Sequence, residues 1–405
     1  MTGAARGPDE HGPAGPPPSP TQRPDPAARR AVTVVFVLNG ALVASWIVRI
    51  PAAQARLGIG EGTLGLVLMG LAVGVLLALP LAGGLTARVG SRPVSAAGAA
   101  LAVVALPLTG LAPTPIMLAA SLVALGVGTA TMDVGMNAQG IGVEAGYGRS
   151  ILVGMHAAWS LGALLAALAG AVTMGLGVPS LTHLLVVSGV VVVTMGASLP
   201  WLRVPDRQAP TTRADAPRLA LPRGPLVPIA VVAVGSSFSE STASDWSGIF
   251  MRDAVGVAAE LAPWGFVTLM AAITLARLLG DRVTDRIGAA GTVAWGGRLA
   301  GAGFLLLALL PLAPTAVVGF LAVGVGVASI TPLAFAAAGR TAASAGAGMA
   351  AVASVGYAGF LLAPPLVGGI AELVDLRLAL GAVGVLVLAC THRPRGFDPT
   401  RDRAG

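Results

Sequence analysis

The sequence predicts an all-α membrane protein with twelve transmembrane helices in two pseudo-symmetric six-helix bundles. Three observations predict this fold. The 405-residue chain is 55% hydrophobic and only 11% charged, with a mean hydropathy of +0.83, so it has too little polar surface to cover a soluble domain of this size. Apolar stretches follow one another along the whole chain, and the second half repeats features of the first.

Twelve apolar stretches are long enough to cross a bilayer, which takes about 20 helical residues. We number them spans 1 to 12 in chain order. The predicted spans cover residues 32–50, 63–86, 94–112, 115–140, 151–176, 180–202, 225–251, 262–279, 291–312, 315–338, 346–370 and 374–391. The links between them are short and leave no room for a domain outside the membrane.

Polar segments divide the chain. Residues 1–30 are rich in proline and poor in bulky apolar side chains, which predicts a disordered cytoplasmic tail and no secretory signal peptide. Residues 31–202 and 225–391 are predicted to form the two bundles, here called the N half and the C half. A linker at 203–224 joins them, and residues 392–405 form a second cytoplasmic tail.

The two halves carry a related turn at the same position. Arg88 and Gly90 end the segment after span 2, and Arg286 and Gly288 end the segment after span 8. Further residues that match at the same offset of 198 are Pro113 with Pro311, Gly126 with Gly324, Gly128 with Gly326, Trp159 with Tyr357 and Gly170 with Gly368. Duplication is the interpretation these matches favour; coincidence in a biased composition is the alternative.

Arginine placement predicts the orientation. All 25 basic residues are arginine, and nearly all those in loops fall on one side, whereas only Arg56, Arg252 and Arg377 fall on the other. The positive-inside rule then puts both termini in the cytoplasm, with the chain in the cytoplasmic membrane. We call the predicted cytoplasmic side the inner face and the opposite side the outer face. The net charge of +7 reflects this topology and predicts no nucleic-acid partner.

The loops that follow spans 2 and 8 carry a motif at the inner face. Its residues are Gly83, Arg88, Gly90 and Arg92 in the first loop and Asp285, Arg286 and Gly288 in the second. They resemble the G-x-x-x-D-R/K-x-G-x-R/K signature of the major facilitator superfamily, and the Gly/Pro-rich segment 356–369 is similar to helix 11 of that family. The resemblance covers residues 32–391 and implies a transporter whose loops brace the two halves. Ala87 replaces the first aspartate, which implies a weaker brace.

Three further segments, 132–139, 156–166 and 237–248, resemble a bacterial subgroup of largely uncharacterised inner-membrane transporters, distantly similar to fucose-type sugar permeases. The resemblance implies proton coupling through carboxylates in helices 1 and 4. Asp133 in span 4 matches one of them, but span 1 offers only Asn39 in place of the other.

Ionisable residues within spans are costly and usually face a cavity or a partner, so they are candidates for function. Asp133 and Asn137 lie one helical turn apart in span 4 and form one polar patch. The patch is predicted to carry a proton or contact the solute; a hydrogen bond that only joins helices is the alternative.

Span 7 holds the densest run of polar side chains. Glu240 lies near the middle of this span, where dehydration favours a protonated carboxyl group and water favours an ionised one. Glu240 is therefore a second candidate for proton coupling. Asp245 lies nearer the outer end and is either functional or paired with Arg49 or Arg252.

Aromatic and basic side chains supply weaker candidates. His156 either titrates or packs as a neutral side chain, and Trp159 and its repeat equivalent Tyr357 either stack on a solute or pack in the core. Trp46 with Arg49 either lines an outer vestibule or anchors span 1 at the interface, which we favour. For Arg277 and Arg298 we favour snorkelling to the inner face over anion binding.

Residues that several classes of enzyme require are absent from the sequence. The sequence has no Lys and no Walker motif, its single cysteine is Cys390, and its four histidines are scattered, so we predict no cofactor, no metal site and no enzymatic activity. An intramembrane enzyme would need a nucleophile beside a base, for which Ser160 near His156 is the only faint candidate.

The sequence thus predicts a secondary active transporter that moves a small solute by alternating access. Its site is expected near the midplane between spans 1, 4, 5, 7 and 11, with proton coupling through Asp133 or Glu240 and a sugar-like or other small polar solute. Two alternatives stay open: proton-driven efflux of drugs or metabolites, and a sensor or scaffold that transports nothing. The expected partners are the lipid bilayer, the solute and protons, and the chain is expected to be a monomer.

Overall fold

Twelve helical segments cross the molecule in the computed structural model, which describes residues 24–147, 149, 151–203, 221–342 and 345–397. Within these residues, ten helical stretches are long and apolar enough to cross a membrane. One of them, Ala259–Leu309, contains both spans 8 and 9, and the shorter apolar helix Leu376–Thr391 forms span 12. No strand occurs in the described residues. The predicted all-α membrane fold is confirmed.

The helices of the N half are Pro26–Ile47 and Ile50–Leu57 in span 1, Glu61–Val89 in span 2, Ser91–Leu111 in span 3, Pro115–Tyr147 in span 4, Leu152–Gly175 in span 5 and Ser180–Ser198 in span 6. The helices of the C half are Leu226–Ile249 with the π-helical turn Phe250–Ala254 in span 7, Trp264–Leu309 in spans 8 and 9, Ala313–Val327 and Ile330–Thr341 in span 10, Ala345–Leu373 in span 11 and Leu376–Thr391 in span 12.

Span 1 begins earlier than the sequence predicted. Its first helix starts at Pro26 because the Asp25 side chain accepts hydrogen bonds from the backbone N–H groups of Ala27 and Ala28, and proline fits the first helical position. The last residues assigned to the tail 1–30 are therefore helical. Residues 1–23 of that tail, residues 204–220 of the predicted linker and residues 398–405 lie outside the described residues.

Spans 1 and 10 are each broken, although the sequence predicted one continuous helix for each. The breaks lie at residues 48–49 and 328–329, just before Pro51 and Pro332. Proline has no N–H to donate and crowds the carbonyl four residues back, so the helix stops there. In span 10 the carbonyl freed by Pro332 belongs to Ala328, which accepts a 3.5 Å hydrogen bond from Nε of Arg277.

The repeat seen in the sequence is also a repeat of contacts. Gly126 lies against the backbone of span 2 at Leu71, and Gly324 lies against the backbone of span 8 at Leu269. The residue numbers of the second contact are each 198 higher than those of the first. Other contacts that repeat at this offset are Gly128 with Ala102 and Gly326 with Ala300, and Gly170 with Val48 and Gly368 with Trp246. Small residues at these points let the backbones approach closely, as is typical of packing within membranes.

One contact lies on the axis that relates the halves. Nη2 of Arg252 donates a 2.5 Å hydrogen bond to Oε1 of Gln54, and the two residues are 198 apart. Two residues that are equivalent under a twofold repeat can touch each other only close to the twofold axis. Nη1 of Arg252 also donates to the carbonyl of Pro51 at 2.8 Å. The outer ends of spans 1 and 7 therefore meet on the axis.

The signature turns adopt matching conformations at the inner face. Gly90 and Gly288 both have positive φ angles, 96° and 76°, which favour glycine at each turn. The charged residues around them are exposed and make no ion pair with other described residues. These are Arg88, Arg92, Asp285 and Arg286. The brace that the family resemblance implied is thus not formed in this conformation, in which the outer ends are in contact.

The close glycine contacts predict a matched pair of unstable variants. A Cβ atom at Gly126 or Gly324 would collide with backbone atoms of span 2 or span 8. We expect Gly126→Val and Gly324→Val each to destabilise the protein by about 1–3 kcal/mol, through overpacking. Melting in detergent, followed by tryptophan fluorescence, measures the effect. The control is Gly189→Val, since Gly189 is exposed on span 6 with open space around it; equal melting temperatures for all three variants would contradict the packing.

Candidate functional site

Asn39 joins three spans of the N half. Its Nδ2 donates to the carbonyl of Thr129 in span 4 at 2.9 Å, and its Oδ1 accepts from Nε1 of Trp159 in span 5 at 2.9 Å. Asn39 is buried and Trp159 is half-buried. Both were candidates from the sequence, and the structure brings them together. A buried amide that uses both its donor and its acceptor fixes the spacing of spans 1, 4 and 5.

Arg277 connects the two halves near the middle of the membrane. Its Nη2 lies 3.3 Å from Oε1 of Glu240 in span 7, and the two side chains form an ion pair. Its Nη1 donates at 2.8 Å to Oγ of Ser160, which belongs to span 5 of the N half. The side chain of Thr274 also reaches this point, with a 3.3 Å hydrogen bond to the Ser160 carbonyl. One guanidinium thus contacts a carboxylate of its own half and a hydroxyl of the other.

The interpretation of Arg277 as a snorkelling residue is wrong. Span 8 was predicted to end at residue 279, but its helix continues to Gly288, so Arg277 lies about 16 Å from the inner turn at the helical rise per residue. That distance exceeds the reach of its side chain. The sequence analysis gave Arg277 anion binding only as an alternative and Ser160 only as a faint nucleophile candidate, so it did not predict their contact between the halves. The position of Arg277 relative to the Gly288 turn was the signal that could have placed Arg277.

The pair in span 4 has the predicted geometry. Nδ2 of Asn137 lies 3.1 Å from Oδ1 of Asp133 and 2.9 Å from the Asp133 carbonyl. Both side chains are half-buried. Asp133 forms no ion pair with the described residues, so this carboxyl group has an amide partner and no positive charge beside it.

Asp245 does not pair with either arginine named as its alternative partner. Oδ2 of Asp245 accepts a 3.1 Å hydrogen bond from Ser241 one turn earlier. Arg252 instead pairs with Asp253 at 2.6 Å, and Arg49 donates to His183 and other neutral groups. Asp245 therefore stays a candidate for function on a half-buried face of span 7.

The remaining aromatic candidates lie in spans 5 and 11. His156 is exposed, and its ring packs edge-on against Phe36 with centroids 5.0 Å apart. The Ser160 hydroxyl contacts the backbone carbonyl of His156 at 3.4 Å and not its ring, so the nucleophile–base pair considered for these residues is not formed. Tyr357 is half-buried in span 11.

Trp46 is not an interfacial anchor. Only 1% of its surface is exposed, and it lines a cleft together with Arg49 at the outer end of the N half. The anchor interpretation was wrong because Trp46 packs in the hydrophobic core and lies beside Ala52 and Ala53 of the helix Ile50–Leu57.

Metal-binding groups are not clustered in the described residues: no three His, Cys, Asp or Glu side chains lie close enough to hold an ion.

Sequence comparison decides the family. The profile of the Major Facilitator Superfamily matches residues 32–364. The chain belongs to the major facilitator superfamily. Its membership agrees with the two signature loops and with the repeat of contacts between the halves, and it identifies the fold as that of a multi-pass membrane transporter.

Three relatives match nearly the whole chain. An uncharacterised MFS-type transporter of Yersinia pestis is 31% identical over 89% of this chain and 94% of its own length. An uncharacterised transporter of Sinorhizobium fredii is 34% identical over 88% of this chain and 94% of its own. The membrane protein MosC of Rhizobium meliloti is 31% identical over 89% of this chain and 88% of its own.

Solved transporters share the fold. The nucleoside transporter NupG superposes with a TM-score of 0.71 at 14% identity and covers 90% of this chain and 97% of its own. The human organic anion transporter MFSD10 superposes with a TM-score of 0.61 at 16% identity, over 91% of this chain and 99% of its own. At these identities the likeness concerns the fold alone.

The Asn39 contact predicts the effect of a conservative change. Trp159→Phe keeps an aromatic ring but removes the indole N–H, so Oδ1 of Asn39 is left buried without its donor. We expect a loss of about 1–2 kcal/mol in the free energy of unfolding, measured by thermal melting in detergent. Trp295→Phe is the matched control because Trp295 is 63% exposed. If both changes had the same effect, the hydrogen bond would not contribute to stability.

Proposed function

We propose that this protein is a proton-coupled secondary transporter of a small polar solute, with Glu240 as the proton-carrying carboxylate. The observation that carries the proposal is the ion pair of Glu240 with Arg277, because Arg277 also holds Ser160 of the other half. A proton on Glu240 would therefore change a contact between the two halves.

The charges of Glu240 and Arg277 couple protonation to a change of conformation. The side chains of Arg277 and Glu240 are 25% and 19% exposed, so the pair is mostly desolvated but still within reach of water. Protonation removes the negative charge and leaves the guanidinium with only neutral partners, Ser160 and the carbonyl of Ala328. A desolvated cation without an anion is unfavourable, so the protonated state favours a conformation in which Arg277 is hydrated or binds the solute. That preference links proton binding to movement of the halves.

Polar groups of the N half supply solute contacts. Asp133 and Asn137 lie on a half-buried face of span 4. The half-buried Trp159 of span 5 is linked through Asn39 to the carbonyl of Thr129, one turn before Asp133. Carboxyl and amide groups with an aromatic ring suit a hydroxyl-bearing, ring-shaped solute such as a sugar. The nucleoside transporter NupG has the same fold, and a nucleoside is likewise a small polar solute.

Orientation and assembly complete the proposal. We infer that both termini lie in the cytoplasm, that the chain resides in the cytoplasmic membrane, and that it works as a monomer by alternating access between its two halves. The contact of Arg252 with Gln54 closes the outer end in the present conformation, so this conformation would correspond to the inward-facing state.

A transport assay with carboxylate variants tests the coupling. A thermal-shift screen of sugars, organic acids and drugs first identifies a solute, and proteoliposomes with a pH-sensitive dye inside then report solute-driven proton movement. We expect Glu240→Gln to abolish proton movement and to lower solute accumulation by about tenfold or more, equivalent to about 1.4 kcal/mol. Asp133→Asn distinguishes the second candidate carboxylate. Glu260→Gln and Asp281→Asn, both exposed, are the matched controls.

The direction of the pH gradient separates the remaining functions. Symport is stimulated by a gradient that drives protons in the same direction as the solute, and efflux by the opposite gradient. Unchanged flux and unchanged proton movement in both Glu240→Gln and Asp133→Asn would contradict proton coupling through these residues. A bound solute without any flux would indicate a sensor.

Arg277 should be needed in its charged form. We expect Arg277→Met to abolish transport and lower the melting temperature, because Glu240 is left without its cation, whereas Arg277→Lys keeps the charge and retains part of the activity. Arg298→Met is the control, since Arg298 is exposed and stacks on Trp295 away from this site. Full activity in Arg277→Met would show that the ion pair has no part in transport.

A further inference from the structure

A cleft of about 250 Å³ opens at the outer end of the N half, where spans 1, 3 and 6 meet. Its walls are mainly apolar and include Trp46, Leu181 and Leu184, but two arginines, Arg49 and Arg56, also line it. The transport candidates in the middle of the membrane do not contribute to its lining. The cleft is therefore a feature separate from the proposed transport site.

Arg49 lies in this wall without an anion. It occupies the break in span 1, and only 3% of its surface is exposed. Its guanidinium donates to Nδ1 of His183 at 3.3 Å and to Oγ1 of Thr173 at 2.9 Å, with longer contacts to the Val178 carbonyl at 3.4 Å and to Oγ of Ser180 at 3.5 Å. All four partners are neutral. A buried cation that lacks an anion is costly, which favours binding of one.

Arg56 adds a second positive charge at the mouth of the cleft. Its guanidinium donates to the carbonyls of Ala112 and Thr109 at the end of span 3. Neither Arg49 nor Arg56 forms an ion pair with any residue that the structure describes, and none of the residues lining the cleft is acidic. Two arginines thus line one cleft, and their partners among the described residues are carbonyl, hydroxyl and imidazole groups.

The start of span 6 adds hydrogen-bond donors to the same wall. Its helix Ser180–Ser198 begins at the cleft, and Pro179 before it offers no side chain to cap the first turn. The first backbone N–H groups of a helix have no partner within the helix and, with the helix dipole, favour an anion. The two arginines and this helix end are independent features, and both favour a negatively charged ligand.

We propose that the cleft binds a phosphate group, held by Arg49, Arg56 and the start of span 6. Arg49 adds positive charge from the wall while its donors stay on protein groups. Arg56 bonds the two carbonyls through Nη1 and Nη2, so its Nε–H is available for a charge-assisted hydrogen bond to a phosphate oxygen. The volume of about 250 Å³ exceeds several-fold the roughly 30 Å³ share of one water molecule. A phosphate with a small headgroup therefore fits.

The surroundings favour a phospholipid as the source of the phosphate. Leu108, Leu111 and Leu185 are 43%, 55% and 53% exposed on the outside of spans 3 and 6, next to residues that line the cleft. An acyl chain can lie against these side chains while the phosphodiester enters the cleft at the level of the outer headgroups. Free phosphate has the same oxyanion as the phospholipid but no acyl chain, so an experiment can distinguish the two sources.

Lipid titration of the purified full-length protein tests the proposal. In a neutral detergent we would follow the melting temperature on addition of phosphatidylglycerol, inorganic phosphate, or diacylglycerol, which lacks the phosphate. We expect a saturable rise with phosphatidylglycerol and none with diacylglycerol. A similar rise with inorganic phosphate supports a site for any phosphate, and a rise with the lipid alone supports a lipid site. No rise with either phosphate compound overturns the proposal.

Variants distinguish lipid binding in the cleft from nonspecific effects of the lipid on stability. Arg56→Met should weaken phosphatidylglycerol binding about tenfold through the loss of a charge-assisted contact, whereas Arg298→Met, an exposed arginine of the other half, should not. Ser180→Asp puts a carboxylate in the cleft, so it should raise the melting temperature without lipid and remove the lipid response; Ser180→Asn is the neutral control. An unchanged lipid response in both Arg56→Met and Ser180→Asp overturns the proposal even if Arg49 variants fail to fold.

Discussion

The absence of water from the bilayer core is the constraint on which this structure depends, because each backbone polar group there must find its partner within the protein. The two proline breaks illustrate the consequence. Proline frees a carbonyl in span 10, and Arg277 donates to that carbonyl of Ala328 while it also pairs with Glu240. The break in span 1 carries Arg49, whose donors are taken up by side chains and a carbonyl of spans 5 and 6. Each broken helix thus has an arginine close to it.

Duplication and divergence act on different residues in this chain. The glycine contacts recur in both halves because close backbone packing has the same steric requirement wherever it occurs. The two charged residues of the ion pair do not recur: Leu42 stands at the position equivalent to Glu240, and Leu79 at the position equivalent to Arg277. The scaffold is therefore symmetric, whereas the ion pair at its centre belongs to the C half alone and is hydrogen-bonded to Ser160 of the N half.

Much of the fold could be predicted from the sequence, because local sequence features determine it. A run of apolar residues with a glycine turn determines a membrane crossing, so the twelve spans and the paired turns at Gly90 and Gly288 were predictable. The partners of buried charges were not, since they depend on where helices that are far apart in sequence come together. Asn39 and Trp159 were recognised as separate candidates, but their hydrogen bond is a tertiary contact. Arg277 was misjudged because span 8 extends beyond its apolar part.

The contact of Arg252 with Gln54 has a consequence for the history of the chain. In a homodimer of identical halves, the residue on the twofold axis faces its own copy, so a guanidinium there would meet a second guanidinium and be repelled. A donor opposite a different acceptor is available only after the two copies have been fused and have diverged. This outer contact, at 2.5 Å between Nη2 and Oε1, is thus an interaction that an unfused ancestor with the same residue at both positions was unable to make.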